Sequence, residues 1–209
     1  MSIAIIGAGH VGTALSQAFR SAGEDVVIGV RDPSSAKHAP LRSAGLQLEP
    51  PVDAVNASTT LLLAVPWQSV ESAIAGLGDL SGKILVDATN PILSDFSDID
   101  PSPDRSGGEA VARFAGGAKV VKAFNTMTSY VMGDPDFGAV KPALAIATDH
   151  SDARREVERL GTAIGFQPYD AGPLSASRET ERLAWHVINM AVIQGHRPSL
   201  CFAVLDKGH

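Results

Sequence analysis

One cysteine, Cys201, stands among 209 residues. No intrachain disulfide can form, and the expected setting is reducing and cytoplasmic. There is no basic block, and the net charge is −6, so a nucleic-acid partner is not expected. The first residues lack the cationic stretch of a secretory leader, and their apolar run, "IAII", is short. No stretch approaches the ~20 apolar residues of a membrane helix. The longest, residues 183–193, carries His186 and Asn189. Also missing are a Ser–His–Asp set, a metal-ligand cluster and a paired-carboxylate motif, so no metal is expected. Repeats and low-complexity arrays are absent too.

What is present is an ordinary globular composition, 44% hydrophobic and 19% charged. The length suits one full-sized domain with a modest addition. Short apolar, β-branched runs occupy residues 3–6, 26–30, 60–65, 83–87, 119–123 and 143–148. Helix-patterned segments lie between them, at 11–22, 33–44, 67–75, 109–114, 126–132 and 152–164. Strands that are apolar throughout and alternate with helices predict an α/β, Rossmann-like, doubly wound and mostly parallel sheet. The predicted division is a dinucleotide-binding domain over 1–168 and a small helical part over 169–209.

Two segments break the rhythm. Residues 91–108, "PILSDFSDIDPSPDRSGG", form a long polar insertion after a strand end, either a lid over the ligand edge or a surface excursion. After "YDAGPL" the chain reads as helical to about Gln194, apolar around nearly the whole helix. Such a helix must be buried on most sides, and a second subunit is the expected cover for the side that one sheet cannot reach.

The chain opens on "IAIIGAGHVGTAL", in which Gly7, Gly9 and Gly12 form G-x-G-x-x-G between an apolar strand and a helix. Gly7 permits the tight turn, Gly9 lets backbone approach a pyrophosphate, and Gly12 lets helix and strand pack closely. The amides around His10 and Val11, at the helix N-terminus, then face the phosphates. The competing reading is a structural strand–turn–helix with no ligand.

The end of the second strand selects the dinucleotide. It reads "VVIGVRDPSSAK". Arg31 occupies the place where an NAD site usually carries an acid, and Ser34, Ser35 and Lys37 follow at the expected start of the next helix. Arg31 can fork to a 2′-phosphate and stack on adenine. Asp32 comes one residue late and, before Pro33, reads as a cap. NADP(H) is therefore expected over NAD.

Later strand ends, "AVPWQSV", "DATNP" and "KAFNTM", should line the nicotinamide half. Asn90, Asn125 and Thr126 are polar groups there, each either a ligand contact or a cap. Lys122 interrupts an apolar run, either tuned for chemistry or snorkelling at an edge. His10 carries little catalytic promise, and no catalytic residue is singled out. A dehydrogenase of alcohols or hydroxy acids needs a placed acid or base. Hydride exchange with a conjugated ring needs mainly stacking geometry.

In order along nearly the whole chain, "IAIIGAGHVGTAL", "IGVRDP", "AVPW", "VKAFNT" and "YDAGPLSASRETE" resemble the NADPH-dependent reductases of the deazaflavin coenzyme F420. "VKAFNT" also resembles the cytosolic reductase domain of the STEAP metalloreductases. The resemblance implies a homodimer that binds NADP(H) and passes hydride between nicotinamide C4 and a deazaflavin or flavin-like ring. It implies that Val65 and Pro66 join the cofactor site. The partner ring would lie near Trp67, Pro173, Leu174, Ser175 and Arg178. Two other functions stay open: an NADP-dependent dehydrogenase of a small carbonyl or imine, and a non-catalytic NADP(H) sensor.

Overall fold

The computed structural model describes residues 2–100 and 105–207. Its frame is one eight-stranded sheet in the order β3-β2-β1-β4-β5-β6-β7-β8. The strands are β1 (Ser2–Ile6), β2 (Asp25–Gly29), β3 (Gln47–Glu49), β4 (Thr60–Leu63), β5 (Ile84–Asp87), β6 (Lys119–Lys122), β7 (Ala143–Ala147) and β8 (Gln167–Gly172). All neighbours are parallel except β6 and β7. The helices are α1 (His10–Ser21), α2 (Ala39–Ser43), α3 (Pro51–Asn56), α4 (Val70–Ala75), α5 (Gly107–Phe114), α6 (Ser129–Gly133), α7 (Ser151–Ala163) and α8 (Ser177–Ile188).

The central strands β1, β4, β5 and β6 are apolar between their ends because both faces are covered. On β1, Ile3 and Ile5 join one core with Leu15 and Phe19 of α1 and Val157 and Leu160 of α7. Ala4 and Ile6 join the opposite core with Val55 of α3, Ile74 of α4 and Val111 of α5. Alternate side chains thus feed two separate layers, as the pleat requires.

Three departures from the sequence expectations bear on the site. Residues 33–44 are not one helix. Asp32 closes a turn by accepting from the Ser34 amide (3.0 Å) and hydroxyl (2.6 Å), a 3-10 turn covers Ala36–His38, and α2 starts only at Ala39. Pro40, which has no N–H, is tolerated only in a first helical turn, so it sets that start. Ser34, Ser35 and Lys37 therefore sit in a turn rather than at a helix N-terminus. Secondly, β8 runs across the 168/169 division and pairs with β7, so the sheet continues into the last part of the chain. Thirdly, α8 stops at Ile188 and one π-helical turn, Asn189–Ile193, follows. Within a single chain that segment is not buried on most sides: Val192 is 61% and Ile193 54% exposed.

The described part of the 91–108 insertion is folded back on itself. Ile92 and Ile99 form an antiparallel bridge, the Asp100 amide donates to the Pro91 carbonyl (2.7 Å), and the Gln68 side chain donates to the Ile92 carbonyl (2.8 Å). Residues 101–104 of the expected lid lie outside the described residues.

Candidate functional site

Strand order reverses between β1 and β4, and in doubly wound sheets ligands occupy the crevice beyond the strand ends at that reversal. The glycine loop lies in this crevice. Gly7 has φ +114°, and a Cβ there would run into the carbonyl of Ala64 at the end of β4. A Cβ on Gly12 would overlap the Gly7 carbonyl. The fold itself therefore demands these two glycines. Gly9 is different. It has an extended backbone (φ −76°, ψ −170°), caps α1, and a Cβ there would meet nothing within 4 Å. No protein contact explains a glycine at position 9, whereas close approach of a ligand does. His10 is exposed on the first turn of α1, and Val11 packs against the core.

Arg31 follows the end of β2, whose Gly29 carbonyl accepts from the Gly7 amide (3.1 Å). Arg31 and Lys37 are exposed, and among the described residues neither is ion-paired. The Arg42 guanidinium donates to the carbonyls of Pro33 (2.6 Å) and Ser35 (3.1 Å) and so holds the turn between them. The Ser34 hydroxyl, with the amides around it, holds the Asp32 carboxyl below its usual range. Asp32 is thus engaged in the turn it closes and caps neither the 3-10 turn nor α2, whose caps are Ser35 and His38.

The other half of the edge is organised by buried charge. Lys122 closes β6 opposite Asp87 of β5 and has no solvent exposure. Its ammonium donates to Asp87 Oδ2 (2.9 Å), Glu181 Oε1 (2.9 Å) and the Thr89 carbonyl (2.7 Å). Burial pulls the ammonium's pKa down, but the two carboxylates outweigh burial and raise it. All three protons are engaged, so Lys122 is neither a catalytic base nor a snorkelling edge residue. Asp87 Oδ1 accepts from the amide and hydroxyl of Thr89 (2.9 and 2.7 Å). Glu181, from α8, accepts the Gly107 and Gly108 amides at the N-terminus of α5 (3.0 Å each). Asp87 and Glu181 were not among the expected site residues. For Asp87 the signal in sequence was its place at the end of an apolar strand, next to the strand that ends on Lys122; Glu181, on α8, carried none.

Beyond Lys122 the chain turns sharply. Phe124 has φ +60°, a left-handed conformation costing a bulky residue about 1–2 kcal/mol. Its ring is held edge-on between Phe19 and Phe166, at centroid distances of 5.9 and 6.0 Å. The turn brings Asn125 against Asn90. Asn90 Nδ2 donates to the Asn125 carbonyl (2.9 Å), and Asn125 Nδ2 donates to Asn90 Oδ1 (3.1 Å). Thr126 is buried beside them.

Val65 of the expected cofactor site and Trp67 of the expected ring wall both pack against the core in which Leu174 is buried. Leu174 is buried in that core, and its amide donates to Asp149 (3.2 Å). Trp67 Nε1 donates to Asp100 (3.0 Å), tying the insertion to the site. Pro66, Pro173 and Ser175 are exposed. Arg178 is exposed and donates to the Arg105 carbonyl (3.1 Å), ahead of α5. Among the described residues there is no cluster of His, Cys, Asp and Glu able to hold a metal, and no helix long and apolar enough to cross a membrane.

A switch-point crevice, an open glycine at the mouth of α1 and a cation after β2 define a dinucleotide-binding α/β protein. Comparison with known proteins narrows the class. The model of the coenzyme F420-dependent NADP oxidoreductases matches residues 2–91. An F420-dependent NADP reductase of Methanothermobacter thermautotrophicus is 32% identical, over 92% of this chain and 90% of that protein. The rat metalloreductase STEAP3 is 29% identical over 87% of this chain, which spans only 36% of its length. A solved Arthrobacter protein, provisionally described as an F420-dependent NADP reductase, superposes with TM-score 0.86 at 28% identity, over 98% and 99% of the two chains. The chain belongs to the coenzyme F420-dependent NADP oxidoreductase family and is an NADP-dependent oxidoreductase.

Proposed function

We propose that this oxidoreductase exchanges hydride between NADP(H) and a planar conjugated ring, a deazaflavin of the F420 type or a related flavin. The observation that carries the reading is Gly9. It is the one glycine of the motif with no protein contact to account for it, and it sits where a pyrophosphate would approach. NADPH supplies the hydride at its nicotinamide. The chain supplies position: the first amides of α1 for the pyrophosphate, Arg31 and Lys37 for the 2′-phosphate, and Val65 and Pro66 along the cofactor's path. Trp67 and the turn from Pro173 to Arg178 form the wall for the second ring. Lys122 has no proton to lend, which favours a ring that absorbs charge over a carbonyl that needs a general acid.

The same reading includes a cytoplasmic homodimer. Val192, Ile193, Phe202, Val204 and Leu205 are exposed near the C-terminus, and a second copy would cover them. The test of function is anaerobic NADPH oxidation with oxidised F420, then with FMN, followed by NADPH absorbance. Turnover with F420 is expected. Turnover with a small carbonyl compound alone, or NADPH binding with no acceptor turned over, would refute the proposal.

A further inference from the structure

Asn125 is 3% exposed, and its side-chain oxygen, Oδ1, is the one buried side-chain polar atom without a hydrogen-bond partner among the described residues. The network around it leaves no choice of orientation. The Asn125 carbonyl can only accept, so the Asn90 atom facing it is the nitrogen, and Asn90 presents its oxygen to the Asn125 side chain. The Asn125 atom facing that oxygen must be Nδ2. Its second proton goes to Thr180 Oγ1 (3.4 Å), whose own proton is given to the Ser177 carbonyl (3.0 Å). Both donors of the amide are thus used, and the acceptor is left over. A buried carbonyl oxygen without a donor is costly in a native fold unless something fills the gap. This one lies just past the end of β6, on the edge where ligands sit, after a turn held in a strained conformation.

We infer that Asn125 Oδ1 accepts a hydrogen bond from a planar amide N–H of the bound redox pair, and so fixes which face of the ring meets its partner. Two groups present that donor: the carboxamide of the nicotinamide, and the ring imide of a deazaflavin or flavin. The inference rests on the proposed NADP(H) site, and the experiment separates the two. Calorimetric binding to the wild type is measured with NADPH, with its 3-acetylpyridine analogue, in which a methyl replaces the carboxamide NH2, and with 2′-phospho-ADP-ribose, which lacks the ring. Each measurement is repeated on Asn125→Ala. For the carboxamide source, the analogue binds the wild type about tenfold more weakly than NADPH, and the variant erases that difference while phospho-ADP-ribose binding is unchanged. For the ring source, NADPH and its analogue bind alike, and the variant raises the KM for F420 about tenfold without changing NADPH affinity. Equal binding of NADPH and its analogue by the wild type, with no change in acceptor KM in the variant, would overturn the inference. Parallel weakening of NADPH and phospho-ADP-ribose in the variant, with no analogue discrimination by the wild type, would overturn it too. If the variant fails to fold, the wild type decides: weaker binding of the analogue than of NADPH supports the carboxamide source, a higher KM for N3-methyl-FMN than for FMN supports the ring source, and no difference in either comparison overturns the inference. A wild type that binds none of these ligands would refute the proposed function instead.

Discussion

Replacing Lys122 by Met tests the buried charge cluster directly. Met keeps the length and apolar stem of lysine but removes the ammonium that lies 2.9 Å from both Asp87 and Glu181. Two carboxylates would then face each other with essentially no access to water. Each retains other partners, Thr89 for Asp87 and the α5 amides for Glu181. Those bonds offset part of the penalty but not the missing countercharge. Leaving a buried ion network with one sign of charge costs about 3 kcal/mol or more. For a chain of this size that is roughly 6–12 °C in Tm. The assay is thermal unfolding followed by circular dichroism, with Lys119→Met as the comparison. Lys119 pairs with Asp152 at the surface, where such a pair is worth less than about 1 kcal/mol. If Lys122→Met lowered Tm no more than Lys119→Met, the cluster would not be holding β5, β6, α5 and α8 together.

Other expectations follow from the same geometry. Gly9→Ala should leave thermal stability nearly unchanged yet weaken NADPH binding about tenfold or more, because its methyl meets no protein atom but enters the pyrophosphate's space. Gly12→Ala should destabilise the fold itself, and a soluble Gly12→Ala with wild-type Tm would contradict the packing described. Arg31→Asp should cut the preference for NADPH over NADH by about 10–100-fold, the range for a lost charge-assisted bond to phosphate; unchanged preference would displace the 2′-phosphate from Arg31. The raised Lys122 pKa sets an alkaline limit. Its contribution is complete below the ordinary lysine value of 10.5 and is lost as pH climbs through the higher folded value, so unfolding midpoints should fall in that window for the wild type and not for Lys122→Met. Ile193→Asp should convert the proposed dimer to monomers in sedimentation, and a wild type that sediments as a monomer would remove the dimer from the proposal.

Much of the architecture was legible because buried parallel strands announce themselves as unbroken apolar runs. The elements missed were those at the sheet's edges. Strand β3 is three residues long and polar at two of them, and β8 carries Pro168 and Asp170, which only an edge strand tolerates. The helix α3 is six residues long, too short for periodicity to register. In the candidate site, the position of the glycine loop between β1 and α1 and of Arg31 just after β2 was legible because the spacing is local. The cluster of Asp87, Lys122 and Glu181 was not, because its members are brought together only by strand register and the docking of α8. Nor could the orphaned oxygen of Asn125 be read in advance, since it follows from how Asn90 and Thr180 divide its two protons.

The carboxylate of Glu181 at the start of α5 also bears on how a long polyanion can lie along this edge. Glycines stand at both helix starts, Gly9 as the cap of α1 and Gly107 and Gly108 as the first residues of α5, and backbone amides at a helix start attract anions. At α5 that place is filled from within by Glu181, so the first two amides are already bonded, whereas no side chain caps α1. Of these two helix starts, only α1 keeps its first amides for an anion from outside the fold.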